Sequence, residues 1–328
     1  MRKPLFAIVT MLAAAGLQAH PSAQTIERIT FDEAIRRATA NNPTIQQAAA
    51  GIVRAEALLQ QVRSRALPSL DASFDVTVID PVTRFSGSSI NPRAQAAASA
   101  SLSAPLLTPV AWAQRAQAAD QVLVARATAV DIRRQMAVAA AQAYLAIIVQ
   151  RRGLELNERA RENARSHFEF ASQRFEGGIG SRLNMLRAQQ ELSGDEARVE
   201  DAQLAVRRTQ EALGILIAAD GPVDAAEEPA FEAETGQPTD RTEVRLLVAR
   251  QAAAERIVAD SWKDRLPSVT ALFTPQYVAP SGLFAQPRSL RGSVIFSVPL
   301  FDGGSRNGLA RERSALLDAV KAERAGVD

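Results

Sequence analysis

Alternation of apolar and polar positions marks four segments of the chain. Over Ser69–Ile79 the even positions hold Leu70, Ala72, Phe74, Val76 and Val78, and the odd ones mostly Ser, Asp and Thr. Over Ala94–Leu106 the even positions are alanine or leucine, set against Gln95, Ser99, Ser101 and Ser103. Val269, Ala271, Phe273 and Tyr277 repeat the pattern, as do Leu290, Gly292, Val294, Phe296, Val298 and Leu300 against Arg291, Ser293 and Ser297. A period of two sustained over about ten residues predicts strands with one apolar and one wet face, long enough to cross a membrane at a tilt. Each pair is joined by a loop rich in Pro, Gly and Ser, Asp80–Pro92 in one case and Val278–Arg288 in the other.

The two strand pairs sit in an internal repeat. Leu67-Pro68-Ser69-Leu70 recurs as Leu266-Pro267-Ser268-Val269, and Ala55-Glu56 recurs upstream as Ala254-Glu255 at the same offset. Ser103-Ala104-Pro105-Leu106 recurs as Ser297-Val298-Pro299-Leu300. Each half therefore reads helix, Leu-Pro, strand, loop, strand, Pro-Leu, helix. The first half opens with Thr30-Phe31-Asp32-Glu33, a capping-box pattern whose helix should stop at Asn41-Asn42-Pro43. Further helices are expected over about Thr44–Ala66 and, in the second half, about Arg241–Arg265.

Between the strand pairs the periodicity turns helical. From Val110 to about Glu176 there is no proline and one glycine, Gly153. Uninterrupted, that stretch would reach about 100 Å at about 1.5 Å per residue. Gly177-Gly178 then terminates it, and a second helix follows from about Arg182 to Ala218, so the two fold back as a long antiparallel hairpin. Dense alanine between Ala111 and Ala146 lets helices approach closely. Arg133-Arg134, Arg151-Arg152 and Arg207-Arg208, interleaved with Glu155, Glu158, Glu162 and Glu200, read as a solvated face with ordinary i,i+4 pairing. Met136–Val149 is too short, and broken by Gln142, for a membrane span.

Alternation by itself favours a soluble antiparallel sheet on a helix, but the start of the chain changes that balance. Arg2 and Lys3 precede an apolar run from Leu5 to Leu17 and small residues around Ala19–Ala23, which predicts a secretory signal peptide over residues 1–23. Four strands cannot close a barrel, since the smallest have about eight, and open edges are not tolerated in lipid. Membrane strands would have to be pooled, and three protomers would give twelve. The chain has no cysteine, which removes disulfides, N-terminal lipidation through a thiol, and thiolate chemistry. Its net charge of +2 arises from 38 basic and 36 acidic residues, so no basic surface for nucleic acid is expected. The two histidines, His20 and His167, form no metal or catalytic constellation, and no phosphate-cradling loop stands out. No enzyme, cofactor or metal site is expected.

The stretch Arg174-Phe175-Glu176-Gly177-Gly178-Ile179-Gly180-Ser181-Arg182-Leu183-Asn184-Met185-Leu186-Arg187-Ala188-Gln189-Gln190-Glu191-Leu192 resembles the hairpin-tip motif of TolC-family outer-membrane factors. Thr30-Phe31-Asp32-Glu33-Ala34-Ile35 followed by Asn41-Asn42-Pro43 is similar to that family's opening, and Pro299-Leu300-Phe301-Asp302-Gly303-Gly304 to its strand-to-helix junction. The resemblance covers the chain from about Ile26 to its end. It implies an α+β fold: a long antiparallel helical hairpin forming a coiled-coil segment of an α-barrel, plus two β-hairpins contributing four strands to a trimeric twelve-stranded transmembrane β-barrel. It implies a homotrimeric passive duct in the Gram-negative outer membrane, in contact with its lipid and extending into the periplasm. Such ducts export small molecules or proteins in tripartite efflux or type I secretion systems, joined by a periplasmic adaptor to an inner-membrane pump. Carried over residue by residue, the adaptor-contact tip is Arg174, Phe175, Gly177, Gly178, Ile179 and Ser181. The iris position is Asn184, where the family usually has aspartate, and the junctions are Pro105, Pro299, Phe301, Asp302, Gly303 and Gly304.

The expected organisation is a first repeat over 24–218, an acidic connector over 219–240 and a second repeat over 241–328. No second tip motif follows Pro299, and the sequence is still helical in pattern at Asp328. The second repeat is therefore expected to be incomplete, which leaves a truncated, non-transporting fragment or degraded paralogue of such a channel as the alternative function.

Overall fold

The structure is a computed structural model and describes residues 26–231 and 241–327. The expected signal peptide, and Glu232 and Glu234 of the acidic stretch, lie outside the described residues. In chain order the elements are β1 (Glu27–Ile29), α1 (Phe31–Asn41), α2 (Pro43–Ser64), β2 (Ser69–Val78), β3 (Arg84–Phe85), β4 (Ser88–Ser89), β5 (Ala94–Leu107), α3 (Pro109–Glu176), α4 (Arg182–Leu216), β6 (Val223–Ala225), α5 (Thr242–Ala259), a 3-10 turn (Ser261–Arg265), β7 (Ser268–Ala279), β8 (Arg288–Ser297) and α6 (Ser305–Ala325). The chain divides into two compact units.

One unit holds the distal part of the helical hairpin from Tyr144 to Ile215, with the segments from Ile26 to Phe31 and from Ala219 to Glu228. α3 is continuous for 68 residues and passes through Gly153 without a break, as the absence of proline predicts. At the base of this unit β1 and β6 pair in parallel, Glu27 opposite Val223 and Ile29 opposite Ala225. Both strands were invisible to pattern analysis, because three residues cannot display a period. They matter because β6 is fully buried and brings Asp224, only 6% exposed, into the fold. Arg151 bonds to both the Asp224 carboxylate and the Ala225 carbonyl, and Arg28 adds a second cation 3.4 Å from the same carboxylate. The expectation of a solvated face with local partners is therefore corrected for Arg151, whereas Arg152 is exposed and keeps its local partner Glu155 at 3.5 Å. The partners of this pair include Asp224 and Glu228, far along the chain, because burying a carboxylate demands a fixed cation beside it. Tyr144 is wholly buried here; its hydroxyl donates to the Glu227 carbonyl at 2.8 Å, and its ring meets Phe31 edge-on at 5.5 Å.

The helix α4 ends at Leu216, two residues short of the expected Ala218. Ala218 adopts a positive φ of 55°, a conformation that no α-helix continues. Close approach explains the glycine in the last turn of α4. A Cβ on Gly214 would sit 2.3 Å from the Gly221 carbonyl oxygen, so only hydrogen fits.

The other unit carries the sheet, α2, α5, α6 and the proximal part of α3. The break at Asn41-Asn42-Pro43 falls where expected. Asn42 caps α2 by accepting from the Thr44 amide at 2.8 Å while donating to the Leu216 carbonyl at 2.9 Å. α2 has no fully buried residue, only a half-buried stripe of Ile45, Ala48, Ile52, Ala55, Leu59 and Val62 at helical spacing. α5 stops at Ala259 instead of running on to Arg265, and the chain tightens into the 3-10 turn. Pro267 bars helix from Leu266, and Lys263 turns back onto Asp260 through both its backbone amide, at 3.0 Å, and its ammonium, at 2.7 Å. Thr242 ties α5 to Asp131 of α3 at 2.8 Å, and Arg313 of α6 reaches Asp264 at 2.7 Å.

The sheet has the order β2-β5-β7-β8, with every neighbour antiparallel. The expected alternation is realised in three dimensions by the register. Leu70 faces Leu102, Phe74 faces Ala98 and Val76 faces Ala96. Leu102 then faces Phe273 and Ala98 faces Tyr277, while Ala271 faces Val294 and Val269 faces Phe296. On the opposite face Ser73 pairs with Ser99, Ser99 with Gln276, and Gln276 with Ser289. A slip of one residue at any ladder would mix the faces. None occurs until the bulge between Pro105 and Leu107 at the end of β5.

Candidate functional site

Three places answer to the expected sites: the wall of the sheet, the strand-to-helix junctions, and the hairpin tip.

The wall exposes an unusually apolar surface. Phe74 is 72% exposed and Val294 68%, and Leu70, Val76, Val78, Leu290 and Phe296 are also exposed. All lie on the one apolar face. Among the described residues, β2 and β8, the outer strands, are unpaired along their free edges. A face of this kind, bounded by open edges, is unstable in water and in lipid alike until the edges are paired. No helix among the described residues is long and apolar enough to cross a membrane.

The loops above the wall pack on each other. The Leu283 amide donates to the Ile90 carbonyl at 2.9 Å, and Gly282 lies so close that a Cβ would be 2.6 Å from that oxygen. Phe85 meets Phe284 edge-on at 6.5 Å.

The two junctions, equivalent in sequence, differ in structure. Pro105 lies inside β5, next to the bulge that separates Pro105 from Leu107, where a missing amide is tolerated. The last strand was expected to continue through Val298 and Leu300, but β8 stops at Ser297 and Pro299 lies beyond it. There Asp302 organises the turn into α6. It accepts from the Gly304 amide at 3.1 Å and from the Arg306 amide at 3.0 Å, and its ion pair with Arg306 is 2.6 Å long. Arg306 also donates to the Pro299 carbonyl at 3.1 Å. The hydrogen bond from the Arg306 side chain, followed by the backbone donors, holds the Asp302 carboxyl below the usual range. Gly303 and Gly304 both have positive φ, 65° and 91°, so the Asp-Gly-Gly run is a turn that glycine must supply. Phe301 takes no part in this turn and is 90% exposed.

At the tip, α3 ends in a Schellman motif. The Ile179 amide donates to the Arg174 carbonyl at 3.0 Å and the Gly178 amide to the Phe175 carbonyl at 3.0 Å. Gly178 has φ +77°, whereas Gly177 stays out of the left-handed region. Of the two glycines that terminate the helix, only Gly178 adopts a backbone conformation that other residues avoid. A third glycine carries the constraint that sequence analysis did not assign. A Cβ on Gly180 would be 2.8 Å from backbone atoms of Arg174 and Phe175, which forces the chain close against the helix end. The Gly-Gly-x-Gly spacing was the available signal. Ser181 starts α4 by accepting from the Leu183 amide at 3.2 Å, and the Arg174 guanidinium lies 5.5 Å over the Phe170 ring. The apex thereby presents Ile179, 74% exposed, on a rigid turn. Asn184 lies in the first turn of α4, in an open groove of about 500 Å³ with His167, Phe170 and Arg187. Among the described residues no cluster of three or more potential ligands could hold a metal ion.

A family model decides what this combination is. The model described as outer membrane efflux protein matches residues 34–219, more than half of the chain. The chain belongs to the outer membrane efflux protein family. None of the curated proteins matches it. Among solved structures it is similar in fold to the CmeC outer membrane channel of Campylobacter jejuni, with a TM-score of 0.76, 14% identity, and cover of 99% of this chain and 76% of that one. It is similar also to a membrane protein from Pseudomonas aeruginosa, with a TM-score of 0.74, 20% identity and cover of 92% and 71%. The open state of the Neisseria gonorrhoeae MtrE outer membrane channel matches with a TM-score of 0.68, 15% identity and cover of 98% and 78%. Membership of this efflux family settles the location: the outer membrane of a Gram-negative cell, with a periplasmic extension. It also settles the fold class, helical barrel wall plus β domain, that the tip and junction motifs implied.

Proposed function

We propose that three copies of this efflux-family chain form one passive export duct, docked through its hairpin tips to a periplasmic adaptor and an inner-membrane pump. The observation that carries this reading is the sheet. It has four strands, a continuous apolar face and two open edges. Three such sheets joined edge to edge give twelve strands, enough to close a barrel with its apolar face in lipid and its serine-rich face on a wet lumen. α2, with one half-buried stripe and otherwise exposed apolar side chains such as Val53 and Leu58, fits a wall one helix thick whose other side a neighbouring copy covers. Export by such a duct needs no chemistry of its own, and cargo is selected upstream by the pump.

Adaptor docking falls to Arg174, Phe175, Gly177, Gly178, Ile179 and Ser181, and Asn184 takes the iris position with a neutral amide in place of a carboxylate. The glycines and Ser181 build the turn, and Ile179 is the apolar contact it presents. Ile179→Asp leaves every hydrogen bond of the turn in place, because Ile179 bonds through its backbone. It nevertheless puts an unpaired charge into an interface that must desolvate it. With the oligomeric state followed by native mass spectrometry and adaptor affinity by calorimetry, the expected result is a normal trimer with adaptor binding weakened at least tenfold. Unchanged adaptor affinity on intact trimers would reduce the tip to a chain reversal, and a monomeric parent protein would overturn the duct.

A further inference from the structure

The four strands carry four charged residues, and all four lie on the two strands that end the sheet. β2 holds Asp71 and Asp75, β8 holds Arg288 and Arg291, and β5 and β7 between them hold none. The register assigns the faces. Asp71 and Asp75 stand opposite Ser101 and Ala97, on the polar face marked by the hydrogen bond between the Ser73 and Ser99 hydroxyls at 2.8 Å. Arg291 stands opposite Thr274, on that same polar face. Arg288 begins β8 opposite Tyr277 on the apolar face, at the loop end, where a long cationic side chain can reach water.

One free edge is thus acidic and the other basic, on one side of the sheet, and within one chain two neutral strands separate them. We propose that the seam between copies is charge-matched: Arg291 on β8 of one copy faces the carboxylates of Asp71 and Asp75 on β2 of the next, along the polar face. The inference rests on the trimeric reading above and specifies which edge meets which. The four strands alternate in direction, so β8 runs opposite to β2 and a second copy's β2 continues the antiparallel ladder. Acid-to-base pairing is heterologous, and a heterologous contact repeated around an axis closes a ring. The alternatives, β2 on β2 or β8 on β8, set like charges side by side and are disfavoured. In a lumen the pairs meet water, so they choose the partner edge more than they add stability.

The test is a charge swap in the whole protein, with trimer dissociation temperature in detergent as the readout and native mass spectrometry as the check of state. Arg291→Asp should lower that temperature by several degrees, and Arg291→Asp combined with Asp71→Arg and Asp75→Arg should recover most of the loss. A gentler variant, Asp71→Asn with Asp75→Asn, covers the case in which the reversals do not fold. The parent trimer should weaken as salt rises and this variant should lose that dependence. Stable trimers from Arg291→Asp, no recovery in the swap, or unchanged salt dependence in the asparagine variant would each overturn the matched seam while leaving the trimer standing. A parent protein that is not trimeric would overturn the trimeric reading and the seam with it.

Discussion

Placing an arginine at Phe74 or Val294 should stop the protein from assembling in the outer membrane, whereas arginine at Ser73 or Ser293 should mostly be accepted. Phe74 pairs with Ala98, and Ala98 with Tyr277; Val294 pairs with Ala271. Both are central in strands that span the apolar face. Near the midplane of a bilayer a cation on the lipid face costs about 2–4 kcal/mol, and in the proposed ring every copy would carry it. Ser73 and Ser293 point the other way, toward the polar face, where a charge keeps its water. The measurement is the amount of protein in the outer-membrane fraction for each of the four variants. Equal tolerance on both faces would contradict the assignment of the wall to lipid.

The second large effect is expected far from the membrane face, at Gly214. A methyl group there would meet the Gly221 carbonyl oxygen at 2.3 Å. The obstruction is backbone, so relief requires the last turn of α4 and the segment leading into β6 to separate. Gly214→Ala should cost about 1–3 kcal/mol, the usual penalty for overpacking. Gly194, also inside α4, has nothing within 4 Å of its would-be Cβ, and Gly194→Ala should stabilise the helix by about 0.5–1 kcal/mol. Chemical denaturation followed by far-UV circular dichroism should separate the two variants in opposite directions. A neutral Gly214→Ala would mean that the helix end and the β6 segment do not approach as described.

This contrast shows what the sequence could and could not disclose. Long periodic elements were legible: the unbroken run to Glu176 became α3, and the alternation of β2 and β8 became a sheet whose ladders keep like faces together. Proline and glycine punctuation located the turn at Asn42 and the hairpin tip to within a residue or two. Interactions between remote, aperiodic segments were not legible. Arg151 resembles any other helical arginine until β6 brings Asp224 to it, and Gly214 resembles a tolerated helical glycine until Gly221 closes on it. The junctions fall between these cases. Pro105 and Pro299 match in sequence, yet one lies in a strand paired on both sides and the other follows an edge strand, and local sequence holds no record of how many neighbours a strand has. At the tip, the turn falls within the stretch that carries the resemblance, but only backbone geometry separates Gly178 and Gly180, which the turn requires, from Gly177.

The claim on which the rest depends is that the sheet is a wall with lipid on one side and water on the other. The chain contains no cysteine, so single cysteines can be introduced one at a time from Leu70 to Val78 and from Ser289 to Phe296 without removing a native thiol. Each variant, in intact outer membranes, is treated with a water-soluble maleimide and, separately, with a bilayer-soluble one. The account predicts a period of two: cysteines at 71, 73, 75, 77, 289, 291, 293 and 295 react from water, and those at 70, 72, 74, 76, 78, 290, 292, 294 and 296 react from the bilayer. Labelling that does not alternate, or that alternates in the opposite phase, would contradict it.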